Sequence, residues 1–184
     1  NIIGVYCLKY NRALIGFLFI ALHNHMPLSA DQVSALCKIG FYATHALRNA
    51  NLYMNAYRAS ITDDLTALYN RKHAFEMIDE LCLSGTPCSL IMLDIDDFKL
   101  YNDTCGHDAG DAVLKTLVMI IRGCVRDEDS LIRYGGDEFL LIMPGIKEQD
   151  FKNKLLQILE EVRRADVPGH GGLRLSASIG VFLS

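Results

Sequence analysis

The sequence predicts an α/β (α+β) fold, in which a sheet with flanking helices follows a hairpin and one long helix. Three observations predict it. An apolar run at 89–94 ends with the acidic residue Asp94, and two further apolar runs flank the turn at Gly135-Gly136. The segments around these runs show helical periodicity. Strands that alternate with amphipathic helices bury their apolar faces when the helices pack on one sheet.

The N-terminal part is predicted to form a hairpin and a long helix. Apolar runs at 2–9 and 13–22 flank Asn11-Arg12, which is typical of two antiparallel strands. Ser29 and Gln32 match a capping box, and apolar residues then recur every three or four positions as far as residue 60. A helix of about thirty residues is unusually long for a globular protein. It favours a strut between domains or pairing with a second copy, and the alternative is that its first half packs on its own domain.

The remaining elements follow a boundary at about 60–63. In chain order we predict a helix at 71–83, a strand at 89–94, a helix at 107–125, strands at 131–133 and 139–143, a helix at 147–165 and a strand at 173–183. The expected domains are therefore 1–28, the connecting helix 29–60, and 61–184.

Composition limits the class of protein. The 184 residues carry a net charge of −4 with no basic tract, which argues against a nucleic-acid partner. Six cysteines form no CxxC pair, which indicates a reduced, cytoplasmic protein. There is no signal peptide, and the apolar run at 13–22 is too short for a membrane segment. Both ends look cut, so we expect a piece of a longer protein, with room for a membrane anchor outside it.

Asp94 is the first candidate site residue. It ends a strand that is apolar on both faces, at the edge where open α/β sheets bind ligands. Asp96 lies two residues further along, and we expect only one of the two carboxylates to face a shared site. Asp94 is the predicted metal ligand, and Asp96 is predicted to make a structural hydrogen bond. A solvated strand end is the alternative for either residue.

The turn before residue 139 supplies a second acidic group. Gly135 and Gly136 permit a tight turn with room for a ligand near the backbone, and Asp137 and Glu138 follow. Acids at a turn tip commonly just face water, but here a strand anchors the hairpin. Oxygen ligands without His or Cys suit magnesium rather than zinc. Two such ions about 4 Å apart would stabilise an in-line phosphoryl displacement.

Three polar residues after Asp94 suit a bound guanine nucleotide. Lys99 is placed to contact a phosphate, and Asn102 and Asp111 offer acceptors. Guanine presents N1–H and an exocyclic amine as neighbouring donors, which a carboxylate matches. The alternatives are a turn residue for Asn102 and a helix-surface acid for Asp111.

Taken together, the chain from about residue 62 to its end resembles the GGDEF family of diguanylate cyclases. The segments that carry the resemblance stand in family order: 63–71 (DDLTALYNR), 94–99 (DIDDFK), 102–107 (NDTCGH), Gly110-Asp111, 133–139 (RYGGDEF) and 178–181 (SIGV). An ordered set of this kind is far more specific than the Gly-Gly-Asp-Glu-Phe signature alone.

The resemblance implies a polymerase-palm-like, nucleotide-cyclase-like sheet and the condensation of two GTP into cyclic di-GMP with release of pyrophosphate. By position, Asp94, the Ile95 carbonyl and Asp137 hold two Mg²⁺, or Mn²⁺ in their place. Glu138 belongs to the catalytic signature, and Asp137 is the candidate for helping to deprotonate the ribose 3′-hydroxyl. The resemblance places the following residues at the nucleotide: Phe98, Lys99, Asn102, His107, Asp111, Gly135 and Gly136.

The resemblance also implies a homodimer and a product site. Each subunit would hold one GTP, so two must face each other to close the ring, with the long helix as a dimer strut. Arg126 and Asp129 match the family's inhibitory RxxD site, whose alternative is an ordinary charged loop. The arginine that usually completes such a site is replaced by Lys154 and Gln157.

Two departures and one further resemblance complete the sequence account. Ala67 stands where the family has glycine. The sequence stops at Ser184, before the family's basic helix that binds the triphosphate, so we expect this piece alone to bind GTP weakly or to be inactive. Residues 1–58 resemble the C-terminal portion of a GAF sensory domain, with 1–28 as its remnant and the connecting helix as its exit. The alternatives to a cyclase under sensory control are a catalytically silent module that binds GTP or cyclic di-GMP, and an interaction scaffold built on the long helix.

Overall fold

The computed structural model describes residues 2–21, 28–169 and 174–183. The chain divides into two compact units, Asn1–Ser60 and Ile61–Ser184. Each unit is described by itself below.

The N-terminal unit contains the predicted hairpin. Strands β1 (Ile2–Tyr10) and β2 (Ala13–Ala21) pair antiparallel. Asn11 and Arg12 connect them with φ angles of 46° and 68°, the left-handed conformation that matches the twist of a two-residue hairpin. The hairpin prediction is confirmed, and its final position at residue 22 falls outside the described residues.

Helix α1 (Ala30–Ile61) begins with the capping box that the sequence predicts. The Ser29 N–H donates to Gln32 Oε1 at 2.9 Å, and the Gln32 N–H donates to Ser29 Oγ at 3.3 Å. The first half of α1 packs on the hairpin. Gly40 is buried against the ring of Tyr6, where a Cβ would clash with ring carbons, and the Arg48 guanidinium lies 4.1 Å from the Tyr10 ring centroid.

The C-terminal unit is a sheet flanked by helices. Its elements are β3 (Tyr69–Asn70), α2 (Arg71–Ser84), β4 (Cys88–Ile95), α3 (Phe98–Cys105), α4 (His107–Cys124), β5 (Ser130–Arg133), β6 (Glu138–Pro144), α5 (Glu148–Arg164) and β7 (Ala177–Phe182). The strand order is β3-β5-β6-β4-β7, with β3 parallel to β5 and every other pair antiparallel. Two of these elements, β3 and α3, were not predicted from the sequence.

Alternate residues of β6 enter two apolar clusters on opposite faces of the sheet. Phe139, Leu141 and Met143 are buried in a large cluster that also contains residues of α4 and α5. Leu140 and Ile142 are buried in a smaller cluster with Ala74 of α2. Burial on both faces, at about 1.5–3 kcal/mol for each large apolar side chain, fixes β6 and its neighbour β4 firmly. The residues at the ends of these strands are therefore held in place by the core.

In the part of the chain that the structure describes, no helix combines the length and the apolar character needed to cross a membrane.

Candidate nucleotide and metal site

The two acidic segments lie side by side at one edge of the sheet. Asp94 on β4 stands directly opposite Glu138 on β6, and the Ile95 N–H donates to the Asp137 carbonyl at 3.3 Å. The predicted adjacency of the two strand ends is confirmed. The roles of the individual residues stay predictions.

The electrostatics of this edge are repulsive. Partial desolvation, followed by the charges of Asp137 and Asp96, raises the pKa of Asp94. Within the described chain no lysine or arginine forms an ion pair with Asp94, Asp137 or Glu138. A divalent cation would relieve this repulsion.

Side chains alone do not complete a metal site. Across 2–21, 28–169 and 174–183, no three His, Cys, Asp or Glu residues are grouped to hold an ion. Asp94 and Asp137 therefore fit magnesium only with other oxygen donors, such as the Ile95 carbonyl and the phosphates of a nucleotide. This matches a cation that arrives with its triphosphate, since Mg²⁺ usually binds one or two carboxylates together with substrate phosphates.

Asp96 is engaged elsewhere, as the sequence predicts. Its carboxylate accepts hydrogen bonds from the hydroxyls of Ser176 and of Ser178, the second at 2.6 Å. These two hydrogen bonds lower the pKa of Asp96. The Asp96 carboxylate thus connects the end of β4 to β7 and to the residue that precedes β7.

The two glycines of the turn have different surroundings. Neither Gly135 nor Gly136 has a positive φ. At Gly135 a Cβ would overlap the Glu138 carboxylate, which would have to move to admit it. At Gly136 no heavy atom lies within 4 Å of an ideal Cβ, which leaves the backbone open to a ligand.

Arg133 holds this turn to a distant segment, a role that the sequence analysis missed. Its Nη2 and Nε donate to the Gly136 carbonyl at 2.7 and 3.1 Å. Its Nη1 contacts the Asp63 carboxylate oxygens at 3.0 and 3.1 Å. Asp63 also accepts from the Thr66 N–H at 2.9 Å and the Thr66 hydroxyl at 2.6 Å. Burial alone would raise the pKa of Asp63, but the bonds from Thr66 and then Arg133 lower it.

Two of the predicted guanine-reading residues lie on packed helices. Asn102 is half-buried on α3, where its Nδ2 donates to the Phe98 carbonyl at 3.4 Å, so its reading as a turn residue is wrong. The side chain of Asn102 lies against Gly110 of α4. Asp111 follows directly and is half-buried. The structure thus brings Asn102 to the residue that precedes Asp111.

The other residues predicted to contact the nucleotide differ in exposure. Lys99 is exposed on α3, and His107 is exposed as the first residue of α4. Phe98 is half-buried and packs on the large apolar cluster. Its side chain therefore packs the first turn of α3 against the core.

The predicted inhibitory pair forms an ion pair of its own. Arg126 donates to Asp129 from Nη2 at 2.6 Å, from Nε at 3.2 Å and from its backbone N–H at 2.9 Å, and the Asp129 side chain is 0% exposed. These bonds raise the pKa of Arg126. A depression of about 310 Å³ adjoins the pair, and it is lined by Arg126, Ile146, Asp150, Asn153, Lys154 and Gln157.

Comparisons with known proteins identify the family of this chain. Residues 60–184 match the family described as "Diguanylate cyclase, GGDEF domain". The response regulator PleD of Caulobacter vibrioides is 36% identical over 171 residues, which cover 86% of this chain and 36% of PleD. Diguanylate cyclase DgcZ of Escherichia coli is 33% identical over 141 residues, covering 75% of this chain and 47% of DgcZ. The chain thus spans less than half the length of either relative.

Solved structures share the fold. The coiled coil and GGDEF domain of DgcB from Caulobacter crescentus, in complex with c-di-GMP, superimposes with a TM-score of 0.72 at 28% identity, over 80% of this chain and 82% of the solved DgcB chain. Diguanylate cyclase SiaD of Pseudomonas aeruginosa, in complex with its activator SiaC, gives 0.63 at 35% identity, over 82% of this chain and 59% of SiaD. The mixed sheet with its flanking helices is the nucleotide-cyclase-like fold that the sequence predicts. The chain belongs to the GGDEF family of diguanylate cyclases.

Proposed function

We propose that this chain is the catalytic part of a diguanylate cyclase, which condenses two GTP into cyclic di-GMP and two pyrophosphates. The observation that supports this most is the acidic sheet edge. Asp94 lies at the end of β4 and Asp137 directly precedes β6, without a cationic partner in the described chain, and partial desolvation together with the charges of Asp137 and Asp96 raises the pKa of Asp94. An edge of this kind suits two divalent cations that arrive with a triphosphate.

The residues at this edge have distinct proposed roles. Asp94, the Ile95 carbonyl and Asp137 would hold two Mg²⁺, or Mn²⁺ in their place, and the bound ions would neutralise the triphosphate. Asp137 would also help to deprotonate the ribose 3′-hydroxyl. Gly136, whose Cβ position is open, lets phosphates approach the turn. Glu138 completes the acidic group, with its carboxylate over Gly135.

The nucleotide base and phosphates are assigned to the α3–α4 region. Asn102 and Asp111 read guanine, because carboxylate and amide oxygens accept from its N1–H and exocyclic amine. Lys99 and His107 are exposed near the helix starts, where they are free to contact phosphate and nucleoside.

Catalysis by this arrangement requires a homodimer. Each 3′-hydroxyl attacks the α-phosphate of the GTP held by the other subunit, so the two sites must face each other across a two-fold axis. Residues 29–60 would serve as the dimer strut, and residues 1–28, as the end of a GAF-like domain, would carry the sensory input. Exposed apolar residues of α1, including Leu47, Leu52 and Met54, suit pairing with a second helix.

The depression beside Arg126 is the proposed product site. Arg126 already binds Asp129, so cyclic di-GMP would contact the face of the guanidinium that the pair leaves open. Lys154 stands where an arginine would grip the product more firmly, which predicts weak feedback. Arg126→Ala should then raise the cyclic di-GMP concentration at which synthesis stops.

The direct test uses the full-length protein with GTP and Mg²⁺. Cyclic di-GMP should form, and Asp137→Asn should reduce its rate by roughly 10²-fold or more. Asp79→Asn, an exposed charge change on α2, is the matched control and should leave the rate unchanged. If an activated dimer binds GTP without making product, the chain is a nucleotide-binding module instead.

A further inference from the structure

One glycine inside α4 is placed against a predicted base-reading side chain. Gly110 lies in the first turns of the helix and is buried. A Cβ at this position would overlap Asn102 Oδ1 and would come within 2.9 Å of its Cγ and 3.3 Å of its Nδ2. Glycine inside a helix is less favourable than alanine. The close packing of Asn102 against this position explains why α4 has a glycine here.

A second glycine in the same helix shows the contrast. Gly123 is exposed, and no heavy atom lies within 4 Å of an ideal Cβ there. Nothing in the described part of the chain demands glycine at 123. The demand at 110 therefore comes from its neighbour and is not a general property of α4.

The Asn102 amide depends on this contact for its position. Its only hydrogen bond within the described residues is the long one from Nδ2 to the Phe98 carbonyl, 3.4 Å. A bond of that length orients an amide weakly. Close packing on Gly110, the residue that precedes Asp111, therefore determines where the amide lies.

We propose that Gly110 is a positioning residue for guanine specificity, because it gives the Asn102 amide the place from which it reads the base together with Asp111. This inference rests on the proposed function. A methyl group at 110 would displace the amide by rotating a flexible side chain, so α4 would stay folded. Base discrimination would change more than stability does.

The test compares Gly110→Ala with Gly123→Ala in the full-length protein. Equilibrium affinities are measured with Mg²⁺ for 3′-deoxy-GTP and 3′-deoxy-ITP, which cannot condense because they lack the attacking hydroxyl. Inosine lacks the exocyclic amine of guanine. Wild type and Gly123→Ala should prefer the guanine nucleotide, and Gly110→Ala should lose roughly tenfold of that preference.

The outcomes separate this inference from the proposed function. If Gly110→Ala keeps the full wild-type preference, Gly110 does not position the reading group and the inference is overturned. If wild type itself binds neither nucleotide, or binds both equally, guanine recognition in the proposed function fails, and the inference fails with it.

A double-mutant cycle keeps the proposal testable should Gly110→Ala fold poorly. In an Asn102→Ala background the added methyl group meets no amide. There, Gly110→Ala should raise the melting temperature as Gly123→Ala does, since alanine favours helix. An equal loss of stability in both backgrounds would show that the clash involves another group, and this would refute the role of Gly110.

Discussion

Asp94 and Asp63 are aspartates of the same unit, yet their surroundings shift their pKa values in opposite directions. Asp63 accepts hydrogen bonds from Thr66 and Arg133, and its pKa is lowered. Asp94 is partly desolvated beside Asp137 and Asp96, and its pKa is raised. A carboxylate whose charge is neutralised internally serves the fold. A carboxylate crowded by like charges destabilises the fold slightly, and it has a use only when a cation is added.

Asp129 resembles Asp63, because its charge is also neutralised within the protein. It is the acceptor for Arg126, and its side chain is fully buried, so its charge is neutralised inside the protein. Function and stability should therefore separate cleanly among these aspartates. Substitutions at Asp94 should affect activity, and substitutions at Asp63 or Asp129 should affect stability first.

The largest expected effect is on activity at Asp94. Asp94→Asn should reduce cyclic di-GMP synthesis by roughly 10²-fold or more, because it removes a ligand for the catalytic cations. Its urea midpoint should stay equal to that of wild type or rise, since a like charge is removed. A clear loss of stability would place Asp94 with the structural aspartates and break the comparison.

Asp129→Ala should cause the largest loss of stability. It removes the main acceptor of the Arg126 guanidinium, which is 35% exposed and keeps Glu128 and the Pro144 carbonyl, so the lost charged hydrogen bonds should cost about 2 kcal/mol. Urea denaturation of the full-length protein measures the loss. Asp127→Ala, an exposed acid in the same loop, is the control and should change stability little. Equal effects at 127 and 129 would refute the assigned role of Asp129.

Asp63→Asn should give a smaller loss that depends on pH. Removing the charge weakens the bonds from Thr66 and Arg133 by about 1.5 kcal/mol at neutral pH. Because the folded-state pKa is lowered, the charge stabilises wild type above the unfolded value of about 3.9. This advantage is lost as the pH falls further, through the folded-state pKa.

Urea midpoints of wild type and Asp63→Asn should therefore converge below about pH 4. Asp64→Asn, at the exposed neighbouring position, is the matched control. A difference between Asp63→Asn and wild type that stays constant from neutral to acidic pH would show that the charge of Asp63 is not what stabilises the fold.

The smallest effect concerns the turn that presents Asp63. Ala67 has a φ of 53°, and its N–H donates to the Asp63 carbonyl at 2.8 Å. A non-glycine residue in this conformation is strained, so Ala67→Gly should stabilise the protein by about 0.5–1 kcal/mol. Thermal melting measures the gain. An unchanged or lower melting temperature would mean that the turn is not under strain.

The main strands of the fold could be predicted because their signals are local. The apolar runs that form β4 and β6, and the turn that precedes β6, stand in continuous sequence. Helix α3 was missed because eight residues are too few to show a helical period, and Asp97 precedes it with a φ of 55° and no capping bond. Strand β3 was missed because two residues that pair in parallel with β5 carry no local signal.

The site divides in the same way. The acids of β4 and β6 could be predicted as neighbours because Asp94 follows an apolar run and Asp137 and Glu138 lie between the Gly-Gly turn and the next apolar run. The bond from Arg133 to Asp63 joins residues 70 positions apart, and only the folded chain brings them together. The close contacts of Gly135 with the Glu138 side chain and of Gly110 with the Asn102 side chain likewise exist only in the folded chain.

The most direct test of the central claim is the anomalous scattering of Mn²⁺ in crystals of the protein with a GTP analogue that cannot react. The account predicts manganese bound within about 2.2 Å of carboxylate oxygens of both Asp94 and Asp137, and lost in Asp94→Asn. Manganese that lies away from both carboxylates, or that remains unchanged in Asp94→Asn, would contradict it.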